Sequence, residues 1–202
     1  MKSREIVQRS DDGRMYKQVA RAEAAAATHE RIVRAFLDMA VQRWYDEITL
    51  ADVARASGVT VQTVIRRFGS KEQLFEAASK QFHDDVVARR KPHIETVDGA
   101  IDALVDDYEV AGDMLVRTLA LEERFAILKG TLDNGRKGHR TWVEQTFSRE
   151  LAQRKTAARE SLVRKLITVT DVYVWKLLRR DMGLTSKATG QEILALVRGV
   201  LH

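Results

Sequence analysis

Residues Thr49 to Phe75, TLADVARASGVTVQTVIRRFGSKEQLF, read as two short helices meeting at a glycine turn, with a third helix close behind. Thr49 followed at the third position by Asp52 is a capping-box start, and Leu50, Val53 and Ala54 supply the apolar repeat of a helix with one buried face. Ser57-Gly58-Val59 then offers a residue that tolerates a positive backbone dihedral where the chain must reverse, and Thr60 caps a second helix. In that helix Val61, Val64, Ile65 and Phe68 fall at i, i+3, i+4 and i+7, a narrow stripe expected to be buried. Gln62, Thr63, Arg66 and Arg67 are left facing outward. Gly69 ends the helix, and Ser70-Lys71-Glu72-Gln73 forms a second capping box that starts another, with Leu74, Phe75, Ala78, Phe82 and Val86 as its apolar face. No acidic residue lies between Asp52 and Glu72, so Arg55, Arg66, Arg67 and Lys71 concentrate positive charge around the outward face of the second helix and the start of the third. Two helices arranged in this way can deliver the second into the major groove of DNA, with phosphates meeting free backbone N–H groups and cationic side chains.

The pattern is more specific than a generic helix-turn-helix. Ile48-Thr49, Val53-Ala54, Gly58-Val59, Thr63-Val64, Phe68, Ser70-Lys71-Glu72 and Leu74, with Ile32, Ala35 and Phe36 in a preceding helix, resemble the N-terminal domain of TetR-type (TetR/AcrR-like) transcriptional regulators. The resemblance implies a homodimer that binds an operator in double-stranded DNA and releases it when a small-molecule effector enters the C-terminal domain. It further implies that Thr49 and Lys71 touch the phosphate backbone and that Thr60, Val61, Gln62, Thr63, Ile65, Arg66 and Arg67 line the groove. Ile65 stands where the family usually carries an aromatic, most often tyrosine, that reaches the DNA, whereas the apolar stripe would bury it. We place it at the boundary of core and groove, able to pack on a thymine methyl and unable to donate a hydrogen bond to phosphate. Arg66 and Arg67 replace the more usual aromatic or histidine pair. Arg66 or Gln62 is expected to read bases, a bidentate guanidinium contact to guanine being worth about 1–3 kcal/mol of discrimination. The alternative, that the arginines contact only phosphate or solvent, stays open because most protein–DNA hydrogen bonds go to the backbone.

Composition is consistent with such a protein. The chain has 202 residues, 45% of them hydrophobic, enough for a small DNA-binding domain and a larger core. Its formal charge of +5 is uneven, since +4 falls in residues 1–92 and +1 in residues 93–202. Cysteine is absent, which excludes disulfides, thiolate metal sites and cysteine nucleophiles and agrees with a reducing compartment. No apolar run approaches the roughly 20 residues needed to span a bilayer, and no signal-peptide core is visible, so the expectation is a cytoplasmic protein without membrane attachment. Five scattered histidines, without a metal-binding, phosphate-loop or nucleophile motif around them, leave no catalytic or metal-ligating residues to nominate. An enzyme is not expected, nor any cofactor beyond the effector. A non-specific architectural nucleic-acid-binding protein would explain the charge but not the size of the nearly neutral second half.

Helical spacing recurs along the whole chain and no strand pattern competes, so the expected fold is all-α with about nine helices. The N-terminal helix-turn-helix domain of three helices would join a larger helical regulatory and dimerisation domain. Residues 1–26 read as a basic arm, flexible or laid in a minor groove, residues 27–91 as the DNA-binding domain and residues 92–202 as the C-terminal domain, divided at Pro92. Within the first helix Ile32, Val33, Phe36, Leu37 and Ala40 are expected in the core, with Trp44 closing it. Later helices are expected over Thr96–Ala111, Asp113–Phe125, Thr131–Ala152, Ala158–Asp181 and Thr185–Leu201, with glycines as stops. Stripes including Leu166, Thr170, Val174 and Leu177, then Ile193, Val197 and Val200, suit a four-helix dimer bundle, although a monomeric core would use the same spacing. Tyr108, Met114, Phe125, His139, Trp142, Phe147, Asp171 and Trp175 are candidates to line an effector pocket, with His139 and Asp171 as polar anchors and ordinary core packing as the competing reading.

Overall fold

The computed structural model describes the backbone of residues 2–91 and 95–202 and the side chains of residues 18–91 and 95–202. Every regular element among the described residues is helical: α1 (Lys2–Gln42), a 3-10 turn at Tyr45–Glu47, α2 (Leu50–Ser57), α3 (Val61–Phe68), α4 (Lys71–Arg90), α5 (Val97–Ala120), α6 (Ala126–Thr146), α7 (Ser148–Ala152), α8 (Thr156–Val169), α9 (Val172–Lys176), a π-helical turn at Leu177–Asp181 and α10 (Ser186–Leu201). The expected all-α architecture is thus observed. Pro92 lies outside the described residues, as do the side chains of Lys2, Arg4, Arg9, Arg14 and Lys17 in the N-terminal arm. The first helix is not confined to the part after residue 26 but runs from Lys2; from Gln18 through Arg31 its side chains are exposed or half-buried, and burial begins at Ile32.

Two apolar cores divide the chain. The first gathers Ile32, Val33, Ala35 and Phe36 of α1, Val53 and Ala54 of α2, Val64 and Phe68 of α3, and Leu74, Phe75 and Ala78 of α4. Trp44 does not close this core, being 38% exposed. Its neighbour Tyr45 turns inward instead and meets Phe75 and Phe125 edge-on at 5.1 and 5.4 Å. Leu128 and Leu132 of α6 are also buried in this core, so the second half of the chain supplies part of the support beneath the first. The second core is built around α5, which packs against α9, α10 and α6, with Leu104, Tyr108, Trp142, Phe147, Leu166, Trp175, Ile193 and Val197 inside.

Gly112 and Gly130, expected to end helices, lie within α5 and α6, as does Gly138. Gly112 is buried in the middle of α5, where an added Cβ would come within 2.4 Å of the Trp175 ring. Gly138 lies within α6 against His83 of α4, again with a Cβ too close at 2.6 Å. Both positions trade helix propensity for close approach of a neighbouring side chain. Breaks fall at Leu121–Phe125, at Phe147, between Ala152 and Thr156, and at Thr170-Asp171, where the Asp171 carboxylate caps α9 by accepting the Tyr173 N–H at 2.9 Å. Gly183, with φ of 74°, makes the turn into α10.

Polar contacts join the two halves. Arg117 of α5 donates to the carbonyls of Ala40 and Val41 at the open end of α1, at 3.1 and 2.6 Å, and Arg124 pairs with Asp46 at 3.1 Å. More deeply, Arg90 in the last turn of α4 is buried with Asp107 of α5, its Nε donating to the carboxylate at 2.5 Å while Arg89 donates to the other oxygen at 2.9 Å. The Arg90 guanidinium also stands 5.7 Å from the Tyr108 ring and 5.5 Å from that of Trp142. Tyr108 donates to the Thr170 carbonyl at 3.0 Å, and His139 reaches the Thr170 hydroxyl at 3.0 Å. Burial, followed by the charge of Arg90, pushes the His139 imidazole from 6.5 down to about 4.

Removing one partner of a buried pair leaves the other charge uncompensated, so Asp107→Ala should lower unfolding stability by about 3–5 kcal/mol, measured as an earlier urea midpoint. His139 is depressed in the folded state, so between pH 6.5 and about 4 the unfolded chain binds a proton that the native chain does not. Its contribution is complete above pH 6.5 and is lost as pH falls through that window. His139→Gln should therefore flatten the pH dependence of stability there, read from denaturation midpoints across pH.

Candidate nucleic-acid interface

Local capping holds the helix-turn-helix in shape. Thr49 precedes α2 in extended conformation, its hydroxyl accepting the Asp52 N–H at 3.1 Å and donating to the Asp52 carboxylate at 2.8 Å. Asp52 returns the bond to the Thr49 N–H, which completes the expected capping box. The Thr49 hydroxyl, ahead of Arg43, holds the Asp52 carboxyl below its ordinary pKa. Both donors of Thr49 are consequently engaged with Asp52, and a phosphate approaching there would compete with that carboxylate. Gly58 closes α2 at φ 67°, a left-handed conformation that any side chain would strain. Thr60 caps α3 by accepting the Thr63 N–H at 3.2 Å, and the two hydroxyls lie 3.0 Å apart.

Helix α3 does not bury the whole stripe read from the sequence. Val64 and Phe68 are buried, but Val61 and Ile65 are 38% and 40% exposed. With only eight residues, α3 contributes one turn-to-turn pair to the core and turns the other toward solvent. Its exposed surface carries Val61, Gln62, Ile65 and Arg66, with Thr63 and Arg67 half-buried at its edges. Neither Arg66 nor Arg67 has an acidic partner within salt-bridge distance among the described residues, whereas Arg55 pairs with Asp52. A helix face with unneutralised guanidinium groups, an amide and two apolar side chains matches the mixture of phosphate, hydrogen-bonding edge and methyl group that a DNA groove offers.

At the start of α4, Ser70 accepts the Gln73 N–H at 3.3 Å, giving one half of the expected box. Lys71 is not extended freely into solvent. Its Nζ lies 4.2 Å from the Tyr45 ring centroid, and partial loss of hydration lowers its pKa. Tyr45 was not legible as a partner of Lys71 because 26 residues separate them in the chain, and its neighbour Trp44 offered the larger ring for the same place.

The candidate effector residues fall into two groups. Tyr108, Trp142, Phe147 and Trp175 are packed together in the second core, with His139 stacked on Trp142 at a centroid distance of 5.4 Å. Phe125 does not belong with them, since it packs in the first core against Tyr45. Met114 is half-buried on α5, and the Asp171 carboxylate caps α9. Arg90 and Asp107 were missed altogether. Their signal was an acidic residue in the buried phase of α5, beside Leu104, Val105 and Tyr108. Of the candidate dimer residues, Leu166, Thr170, Ile193 and Val197 are wholly buried inside the protomer, Val174 and Val200 are partly so, and Leu177 is exposed. The first four cannot meet a second copy, because α5, α8 and α10 already pack over them.

Residues 32–78 match the family model for bacterial regulatory proteins of the tetR family. A 93-residue segment is 31% identical to the HTH-type transcriptional regulator AlkX of Mycobacterium tuberculosis, spanning 46% of this chain and 41% of that protein, less than half its length. Among solved structures, a tetR-family transcriptional regulator from Streptomyces coelicolor aligns over 86% of this chain and 88% of its own, with a TM-score of 0.68 at 19% identity. A transcriptional regulator from Rhodococcus sp. Rha1 aligns over 86% and 95%, again with a TM-score of 0.68, at 16% identity. The likeness to these structures extends the shared fold beyond the helix-turn-helix into the second core. The capped helices of residues 32–78 thus form a helix-turn-helix similar to that of the tetR family of bacterial regulatory proteins, within a fold shared with these solved regulators.

Proposed function

We propose that this chain is a sequence-specific DNA-binding transcription regulator, acting as a homodimer on an inverted-repeat operator and released from it by a small-molecule effector, hence a repressor. The outward face of α3 carries the proposal: Gln62 and Arg66 are exposed on a helix fixed at both ends, in a segment without acidic residues from Val53 to Lys71. Arg66 is assigned to base readout and Lys71, steadied by Tyr45, to phosphate.

One helix-turn-helix reads only a few base pairs, whereas two related by symmetry read a palindromic site in adjacent turns of DNA. With Leu166, Thr170, Ile193 and Val197 occupied inside the protomer, the dimer surface is assigned to the apolar side chains that remain exposed in the last part of the chain, Leu177 of the predicted stripe with Tyr173, Met182 and Leu196. The effector is assigned to the second core around Trp142, whose indole N–H is buried without a hydrogen-bond partner among the described residues. An effector there would lie beside Arg90 and so bear on the last turn of α4. Release requires that it bind more tightly to the conformation that does not fit DNA.

Selection of bound sequences from a random DNA pool tests this reading. An inverted repeat preferred over random DNA by roughly 10³-fold or more is expected; no preference would favour a non-specific architectural protein. On the recovered site, Arg66→Ala should relax base preference at one position of each half-site, at a cost of about 1–3 kcal/mol. Lys71→Ala should weaken all sequences alike and lower the salt slope by about one, measured by titration over a range of salt concentrations. Unchanged affinity in both variants would displace the reading surface from α3.

A further inference from the structure

We infer that the chain reads thymine methyl groups in its operator through Val61 and Ile65, an inference that rests on the DNA-binding reading above. Single exposed apolar residues are ordinary on any protein surface. These two are not scattered: they are one turn apart on an eight-residue helix and together make up half of its four large apolar side chains, the other two of which, Val64 and Phe68, form its contact with the core. They therefore add little to the fold of the protomer while exposing branched carbon beside Arg66.

Charge identifies what covers them. Arg66 and Arg67 lack acidic partners among the described residues, and Lys71 begins the next helix, so the surface around Val61 and Ile65 is complementary to a polyanion rather than to an apolar protein face. On the major-groove edges of duplex DNA, the apolar group on offer is the C5-methyl of thymine. Gln62 and Arg66 supply hydrogen bonds to bases alongside, whereas neither Val61 nor Ile65 can hydrogen-bond a base edge or a phosphate through its side chain. Residues four apart rise about 6 Å along a helix, close to two base steps of roughly 3.4 Å each. The inferred half-site therefore holds two thymines within about two steps of each other, next to a base pair read by hydrogen bonds.

Replacing thymine by deoxyuridine removes the methyl and leaves base pairing intact. On the operator recovered by selection, single deoxyuridine substitutions should weaken binding about threefold to fivefold at two positions per half-site, as expected for one buried methyl each. In Ile65→Ala the penalty at one of these positions should vanish, and in Val61→Ala that at the other, while unmodified DNA is still bound in preference to random sequence. Both side chains are substantially exposed, and far-ultraviolet circular dichroism checks that the variants keep their fold. Full tolerance of deoxyuridine at every position, a recovered site without thymine in this spacing, or penalties unaltered by both variants would overturn the inference while leaving a specific regulator in place. Failure to recover any preferred sequence would instead remove the DNA-binding reading, and this one with it.

Discussion

Burying Arg90 is the constraint on which the arrangement of the two halves depends. A guanidinium taken out of water must keep its charge and find hydrogen-bond acceptors, and Asp107 supplies them from the middle of α5. Because Arg90 ends the helix that begins at Lys71, the pair ties the far end of α4 to the second core. The near end is held differently, through Leu128 and Leu132 of α6 and through Tyr45 between Phe75 and Phe125. Helix α4 is thus anchored by charge at one end and by apolar packing at the other. The same guanidinium stands against the rings of Tyr108 and Trp142 and its charge bears on His139, so these side chains lie directly beside the last turn of α4.

The reading face shows the reverse economy. Helix α3 has only eight residues, and isolated helices of that length are unstable in water, so its shape comes from Thr60 at one end, Gly69 at the other, and the burial of Val64 and Phe68. The remaining positions are released from structural duty, which is why Gln62, Ile65 and Arg66 can face outward together. A short helix fixed by its ends is well suited to carrying chemistry on its free side.

The capping residues were the most legible part of the chain. Thr49 with Asp52, Thr60 with Thr63, and Gly58 at φ 67° act between near neighbours, where residue type and spacing suffice to name the interaction. Long-range burial was harder to read. Trp44 and Tyr45 compete for one place beneath Lys71, and only the approach of Phe75 and Phe125 decides for the tyrosine. Gly112 looks like a helix stop until Trp175 is seen to occupy the space that a Cβ would need, and His83 does the same at Gly138. Leu166, Ile193 and Val197 have a spacing that fits a dimer seam and a protomer core equally, and packing assigned them to the core.

What the amino-acid sequence determined by itself was therefore the all-α class, the helix-turn-helix at Thr49 to Phe75, its resemblance to a known family, and its concentration of positive charge. Each follows from periodicity, caps and residue type over a few turns, and periodicity is a local property of the chain. Tertiary structure decided which half of each apolar stripe is buried. In α3 it buried Val64 and Phe68 and left Val61 and Ile65 to solvent, because one side of so short a helix is already filled by α1, α2 and α4. It also brought Arg90 to Asp107 and Lys71 to Tyr45 across 17 and 26 positions of sequence, where no spacing rule operates and only the packing of whole helices determines who meets.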